Sequence, residues 1–149
     1  MLGKNFSTVP EYPEDFILSN AQKLLQNELK TPLKSKRKKE IKSLLKLPIV
    51  IPLEQNNLVL PGNGVMLHFK DTDEKMYCVL DGTQRVKSHD LPKGTKIITA
   101  SSSLGKSLMG KTPGMSLTAE DSRNCIVEYV HAPSVAKWLF KFQDLKSMN

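Results

Sequence analysis

The stretch Ile97-Ile-Thr-Ala-Ser-Ser-Ser-Leu-Gly-Lys-Ser-Leu-Met-Gly-Lys-Thr-Pro-Gly114 decides how the rest of the chain is read. Lys96–Thr99 reads as a strand, and Ser103–Met109 as a short helix closed by Gly110. Within that helix Leu104, Leu108 and Met109 point one side into a sheet. Gly105 lets the backbone approach closely, and Gly110 permits the positive φ that ends a helix.

Around this stretch the apolar pattern approaches period 2. Val65–Lys70 and Lys75–Leu80 flank the turn-forming Asp71-Thr-Asp-Glu74 and predict two antiparallel strands. Met115–Ala119 and Cys125–Val130 do the same around Glu120–Asn124. Residues 62–131 thus predict an α+β domain: a small twisted antiparallel sheet with one short helix. Upstream, residues 1–13 read as an extended lead-in. Glu14–Lys30 places Phe16, Ile17, Ala21, Leu24, Leu25 and Leu29 near a helical period. Thr31-Pro32 can open a second helix carrying Leu33, Ile41, Leu44, Leu45 and Leu47, which makes residues 1–47 a lead-in and a short helical hairpin. Pro48, Pro52 and Pro61 mark residues 48–61 as an extended connector with room for an edge strand. In residues 132–149, Val135, Trp138, Leu139, Phe142 and Leu145 predict an amphipathic C-terminal helix.

The chain has 149 residues and a net charge of +7, unevenly placed. Lys30–Lys46 holds eight Lys or Arg and one acid, Glu40, so it carries that whole excess by itself. Lys34, Lys36, Arg37, Lys38, Lys39 and Lys42 are therefore candidates for a nucleic acid or an acidic protein partner, since a dense positive field attracts any polyanion. A solvated helix face is the other reading, because no aromatic residues alternate with the lysines to stack bases.

Other chemistry is poorly supported by the residue pattern. His68, His89 and His131 are scattered without partners at metal spacing. Ser101–Ser103 lack a nucleophile-elbow motif, and Gly105-Lys-Ser lacks the earlier glycine of a phosphate-binding loop, position 100 being alanine. Asp71, Asp73 and Glu74 are accounted for by a hairpin turn. Cys78 and Cys125 sit in apolar, strand-like runs and read as reduced core thiols. No apolar stretch approaches the roughly 20 residues of a membrane span, and no secretory signal is visible, so a soluble, cytoplasmic chain without a membrane partner is expected.

The Ile97–Gly114 stretch resembles the C-terminal domain of the Gre transcript-cleavage factors and their short Rnk-type relatives. Their motif runs roughly Ser-Pro-Leu-Gly-x-Ala-Leu-Leu-Gly-x-x-x-Gly-Asp. Leu104, Gly105, Leu108, Met109, Gly110 and Gly114 match it at the family spacing, and Ile126-Val-Glu-Tyr129 resembles the closing strand. The resemblance covers residues 62–131. It implies an FKBP-like fold that docks on RNA polymerase at the rim of the secondary channel through Ser101, Ser102, Ser103, Leu104 and Gly105. Ser103 stands where the family usually has proline, and Met115 where it has aspartate.

Gre factors stimulate cleavage with a long coiled coil whose acidic tip helps hold a catalytic magnesium ion. The corresponding tip here, Lys30–Lys39, has no acid, and helices of about 15 residues reach only about 23 Å. The resemblance therefore implies a non-enzymatic polymerase-binding regulator, nearest in plan to the Rnk type, without cofactor or metal. The alternative is a basic adaptor that uses the FKBP-like domain for protein interaction and the lysines for nucleic acid. Prolyl isomerisation, another activity of FKBP-like folds, needs an aromatic-lined pocket, and residues 62–131 hold only Phe69, Tyr77 and Tyr129.

Overall fold

The computed structural model describes residues 9–84, 94–119 and 122–136. Alternation of side chains puts Val65, Leu67 and Phe69 on one face of a central strand, Gly64–Phe69, and all three are buried. In chain order the elements are β1 (Ile17–Leu18), α1 (Ser19–Leu29), α2 (Ser35–Leu45), β2 (Ile49–Val50), β3 (Gly64–Phe69) and β4 (Glu74–Asp81). They continue with β5 (Thr95–Thr99), α3 (Ser103–Leu108), β6 (Ser116–Thr118) and β7 (Asn124–His131). The main sheet has the order β5-β4-β3-β7-β6, and β1 and β2 form a second, two-stranded sheet.

The α+β class and the two hairpins stand as expected. Asp73 (φ 60°) and Ser122 (φ 66°) supply the left-handed residues of the two turns. One strand differs in direction: β5 runs parallel to β4, with Val79 opposite Ile97, while the other pairings in this sheet are antiparallel. Residues 82–94 are long enough for the crossover that a parallel pair requires. Tyr77–Asp81 is buried without alternation, as expected of a strand covered on both faces.

Both hairpin helices start later than their sequence suggests. Phe16–Leu18 is extended, because the Ile17 N–H donates to Pro48 O and β1 pairs parallel with β2, so α1 begins at Ser19. Thr31 does not cap α2: its hydroxyl donates back to Glu28 O at 2.6 Å, at the end of α1, and Lys34 is the extended residue before α2. Ala21 and Leu25 of α1 and Ile41 of α2 join one apolar cluster with Val65, Leu67, Val79, Leu80, Leu104, Leu108 and Val127.

Asn63, wholly buried, ties the connector to the sheet. Its amide oxygen accepts from Leu60 N–H and Gln55 Nε2, and its Nδ2 donates to Gln55 O and His131 O, all within 2.8–2.9 Å. Nothing in the sequence distinguishes it from a surface turn residue. Pro133–Val135 forms a single 3₁₀ turn, and the C-terminal helix expected beyond it lies outside the described residues, as does His89.

Two outcomes follow from these contacts. Asn63→Ala strands several buried polar groups at once and should lower stability on the order of 2–4 kcal/mol, read as a fall in the urea midpoint at unchanged slope. Burial pushes the Cys78 thiol up to about 12, and Cys125 is also buried. At pH 8 the folded chain should therefore leave Cys78 unlabelled by a thiol reagent, and denaturant should expose it to rapid reaction.

Candidate functional site

The segment between β5 and α3 turns sharply because one backbone oxygen serves it repeatedly. Thr99 O accepts the Ser102 N–H at 3.2 Å and the Ser102 hydroxyl at 2.8 Å, and Ser102 Oγ in turn accepts the Gly105 N–H at 3.0 Å. Ser102 is thus the N-cap of α3. A β-carbon on Gly105 would lie 1.9 Å from Thr99 O, so only glycine permits this approach. Leu104 and Leu108 are buried, Met109 packs partly buried against them, and Gly110 ends the turn at φ +80°.

Of the residues expected to dock, Ser101 and Ser103 are exposed, Ser102 is half-buried, and Leu104 and Gly105 are inside. Ser101 and Ser103 are therefore the members of this set that stand open to solvent, while Ser102, Leu104 and Gly105 shape the loop. Ser101 Oγ also donates to Thr83 O at 3.0 Å. Thr83 bonds Phe16 in both directions, its N–H to Phe16 O at 3.0 Å and the Phe16 N–H to its Oγ1 at 2.8 Å. A short series of hydrogen bonds thus runs from the serine loop to the root of the hairpin.

At the hairpin, the basic residues divide into two groups. Arg37 turns inward, its Nε and Nη2 gripping both oxygens of Glu28 at 2.6 and 2.7 Å and its Nη1 holding Glu40 at 2.8 Å. The hydrogen bonds to Glu28 are the main reason its guanidinium holds its proton more tightly than usual. Lys34, Lys36, Lys38, Lys39 and Lys42 are exposed. At 100° per residue, Lys36, Lys39 and Lys42 project away from the buried Ile41. An open groove of about 580 Å³ runs beside α2, lined by Lys36, Lys39, Glu40, Leu44 and Leu47 together with Asp15.

A second cleft of about 450 Å³ lies between α3 and the sheet, bordered by Leu104, Phe69, Met76 and Lys96. Its aromatic wall is Phe69, and Arg123 covers that ring at 4.4 Å from the centroid. Arg123 Nη2 also joins the two hairpin turns, reaching Thr72 Oγ1 at 2.7 Å, Glu74 at 2.9 Å and Asp71 at 3.2 Å. Arg123 holds the Asp71 carboxyl below the usual range, and the Thr72 hydroxyl followed by Arg123 does the same for Glu74. Sequence reasoning missed Arg123, whose only signal is a cation in one hairpin turn while acids fill the other. His68 faces Asp73 at 2.6 Å and the Tyr77 hydroxyl meets His131 Nδ1 at 2.8 Å. Among the described residues no three His, Cys, Asp or Glu side chains cluster to hold a metal ion, and no helix is long and apolar enough to cross a membrane.

No protein-family profile and no curated protein matches the chain. Solved structures that align with most of it include the following three. The transcription elongation factor GreA/GreB from Nitrosomonas europaea shares 18% identity over 80% of this chain and 99% of its own, with a TM-score of 0.38. GreA factor homolog 1 (Gfh1) of Thermus thermophilus shares 17% over 80% and 100%, with a TM-score of 0.41. Thermus aquaticus Gfh1 shares 18% over 76% and 83%, with a TM-score of 0.39. Superposition at these values establishes neither family nor partner.

The close approach at Thr99 makes a local forecast. Gly105→Ala should destabilise the chain by about 1–3 kcal/mol through overpacking, whereas Lys106→Ala on the exposed side should stay within about 0.5 kcal/mol, both read from urea unfolding.

Proposed function

We propose that the chain is a Gre-like, non-enzymatic transcription regulator that binds RNA polymerase near its secondary channel, nearest in plan to the short Rnk type, and does not stimulate transcript cleavage. The observation that carries this reading is the α3 entry. The six residues that match the Gre motif, read from sequence alone, include those that seat and close α3: Leu104 and Leu108 inside, Gly105 against Thr99 O, and Gly110 at positive φ. That packing presents Ser101 and Ser103 outward, on the loop to which the sequence resemblance assigns docking.

The hairpin supports the absence of cleavage stimulation. Its helices are 11 residues each, about 16 Å long. Glu28 and Glu40, the acids of residues 19–45, are both bonded to Arg37 rather than open towards a cation. A hard cation needs oxygen ligands and net negative charge, and this tip presents lysines.

A second reading has its own observation: the exposed Lys36, Lys39 and Lys42 on the outer side of α2 suit a basic adaptor that grips nucleic acid. One experiment separates the two. Immobilised bacterial core RNA polymerase should retain the chain, and Ser101→Trp with Ser103→Trp should weaken retention about tenfold or more at an unchanged urea midpoint. No retention, together with salt-sensitive nucleic-acid binding that charge reversal at Lys36, Lys38 and Lys39 abolishes, would discard the polymerase reading for the adaptor.

A further inference from the structure

The open groove beside α2 changes chemistry along its length. At 100° per residue Lys36, Lys39, Glu40, Ser43 and Leu44, all of them in its lining, share one side of the helix. Leu47 prolongs that side, because its N–H donates to Leu44 O at 3.1 Å and carries the turn past the last residue of α2. The lysines stand at the end nearer the hairpin tip, and the half-buried Leu44 and Leu47 at the end nearer its root. The parallel pairing of β1 with β2, Ile17 opposite Ile49, brings Asp15 to the leucine end.

Charge is divided in the same direction. Lys36 and Lys39 are exposed, and among the described residues neither is held in an ion pair. Glu40 shares the lining, but Arg37 Nη1 holds it at 2.8 Å. A complementary ligand is therefore anionic where it meets the lysines and apolar where it meets the leucines. Nucleic acid lacks that division: its phosphates repeat along the whole strand and would be carried against Asp15 and the leucines, and no aromatic side chain among the described lining residues stacks a base. A protein segment has it. Leu44 follows Lys36, and Leu47 follows Lys39, by eight residues. That interval is about 12 Å along a helix, the length of about four residues of extended chain.

We infer that this groove binds an extended protein segment with carboxylates at one end and apolar side chains about four residues away. Lys36 and Lys39 take the carboxylates, Leu44 and Leu47 take the apolar groups, and Asp15 fixes the direction by repelling the acidic end. The inference goes beyond the polymerase reading, since it needs nothing from Ser101 or Ser103.

The probe is a fluorescein-labelled peptide of two glutamates, two serines and two leucines in that order, titrated with the full chain at about 0.15 M salt, where charges more than about 8 Å apart are screened. Its polarisation should saturate with a Kd below about 1 mM. Lys36→Glu with Lys39→Glu should weaken binding about tenfold or more. Ser43→Trp, which fills the middle of the groove from an exposed position, should do the same. Lys38→Glu with Lys42→Glu makes an equal change of net charge outside the lining and should alter binding less than about threefold. The two charge pairs lie on exposed positions and decide the matter even where Ser43→Trp lowers the urea midpoint. No saturation, an equal response to the two charge pairs, or equal binding of a peptide in which glutamate and leucine alternate would each overturn the proposal. Tighter binding of a single-stranded oligonucleotide, abolished by Lys36→Glu with Lys39→Glu, would do so too and assign the groove to nucleic acid.

Discussion

The carbonyl oxygen of Thr99 takes two hydrogen bonds from Ser102 and faces a bare α-carbon at Gly105. Everything around α3 depends on that crowding. Helix and strand can meet within four residues only if no side chain separates them, and this short passage drops Leu104 and Leu108 into the sheet. A longer connection would carry α3 outwards and open the core. A six-residue helix has little stability of its own, so α3 exists because it is packed and capped. The exposed serines are accordingly held by the same contacts that complete the core.

Charge is organised by a comparable economy. Of eight basic residues between Lys30 and Lys46, Arg37 is the one turned to structure, and its planar fork suits the two-oxygen grip on Glu28. Lysine in that place would offer a single point of charge. The arrangement joins α1 to α2 beside a loop whose Leu33 packs partly buried against the core, and it ties both local acids to one guanidinium. The seven lysines of Lys30–Lys46 are left outside this triad, which itself carries a net charge of −1. Surface attraction of this kind fades with salt, so it governs encounter more than stability.

Legibility in the sequence followed the range of the interaction. The hairpins around Asp71–Glu74 and Glu120–Asn124, the α3 wedge and the buried cysteines were readable, because turn chemistry and alternation are local signals. The direction of β5 was not, since a strand's residues carry no mark of which neighbour it joins or which way it runs. The starts of α1 and α2 were missed where tertiary pairing overrode helical spacing: Ile17 is drawn into a bond with Pro48, and Thr31 is used by the helix before it. At the candidate site, sequence grouped Arg37 with the lysines and gave Ser101–Gly105 one shared role. Burial divides both groups. Asn63 and Arg123 were invisible because each acts between segments distant in sequence, with no neighbouring pattern to announce it.

The serine loop and the hairpin are also joined mechanically. Ala100 N–H donates to Gly82 O, Ser101 Oγ to Thr83 O, and Thr83 exchanges bonds with Phe16, one residue before β1. Gly82 packs so closely here that a β-carbon would lie 2.5 Å from Phe16 O. Phe16, Ile17 and Leu18 are themselves almost wholly buried and lead straight into α1. No flexible linker intervenes along this route, so the loop and the hairpin root form one stiff piece. A surface bound at Ser101 and Ser103 would therefore meet the lysines of α2 at a fixed reach and angle, and loosening the Gly82–Phe16 contact should disturb both together.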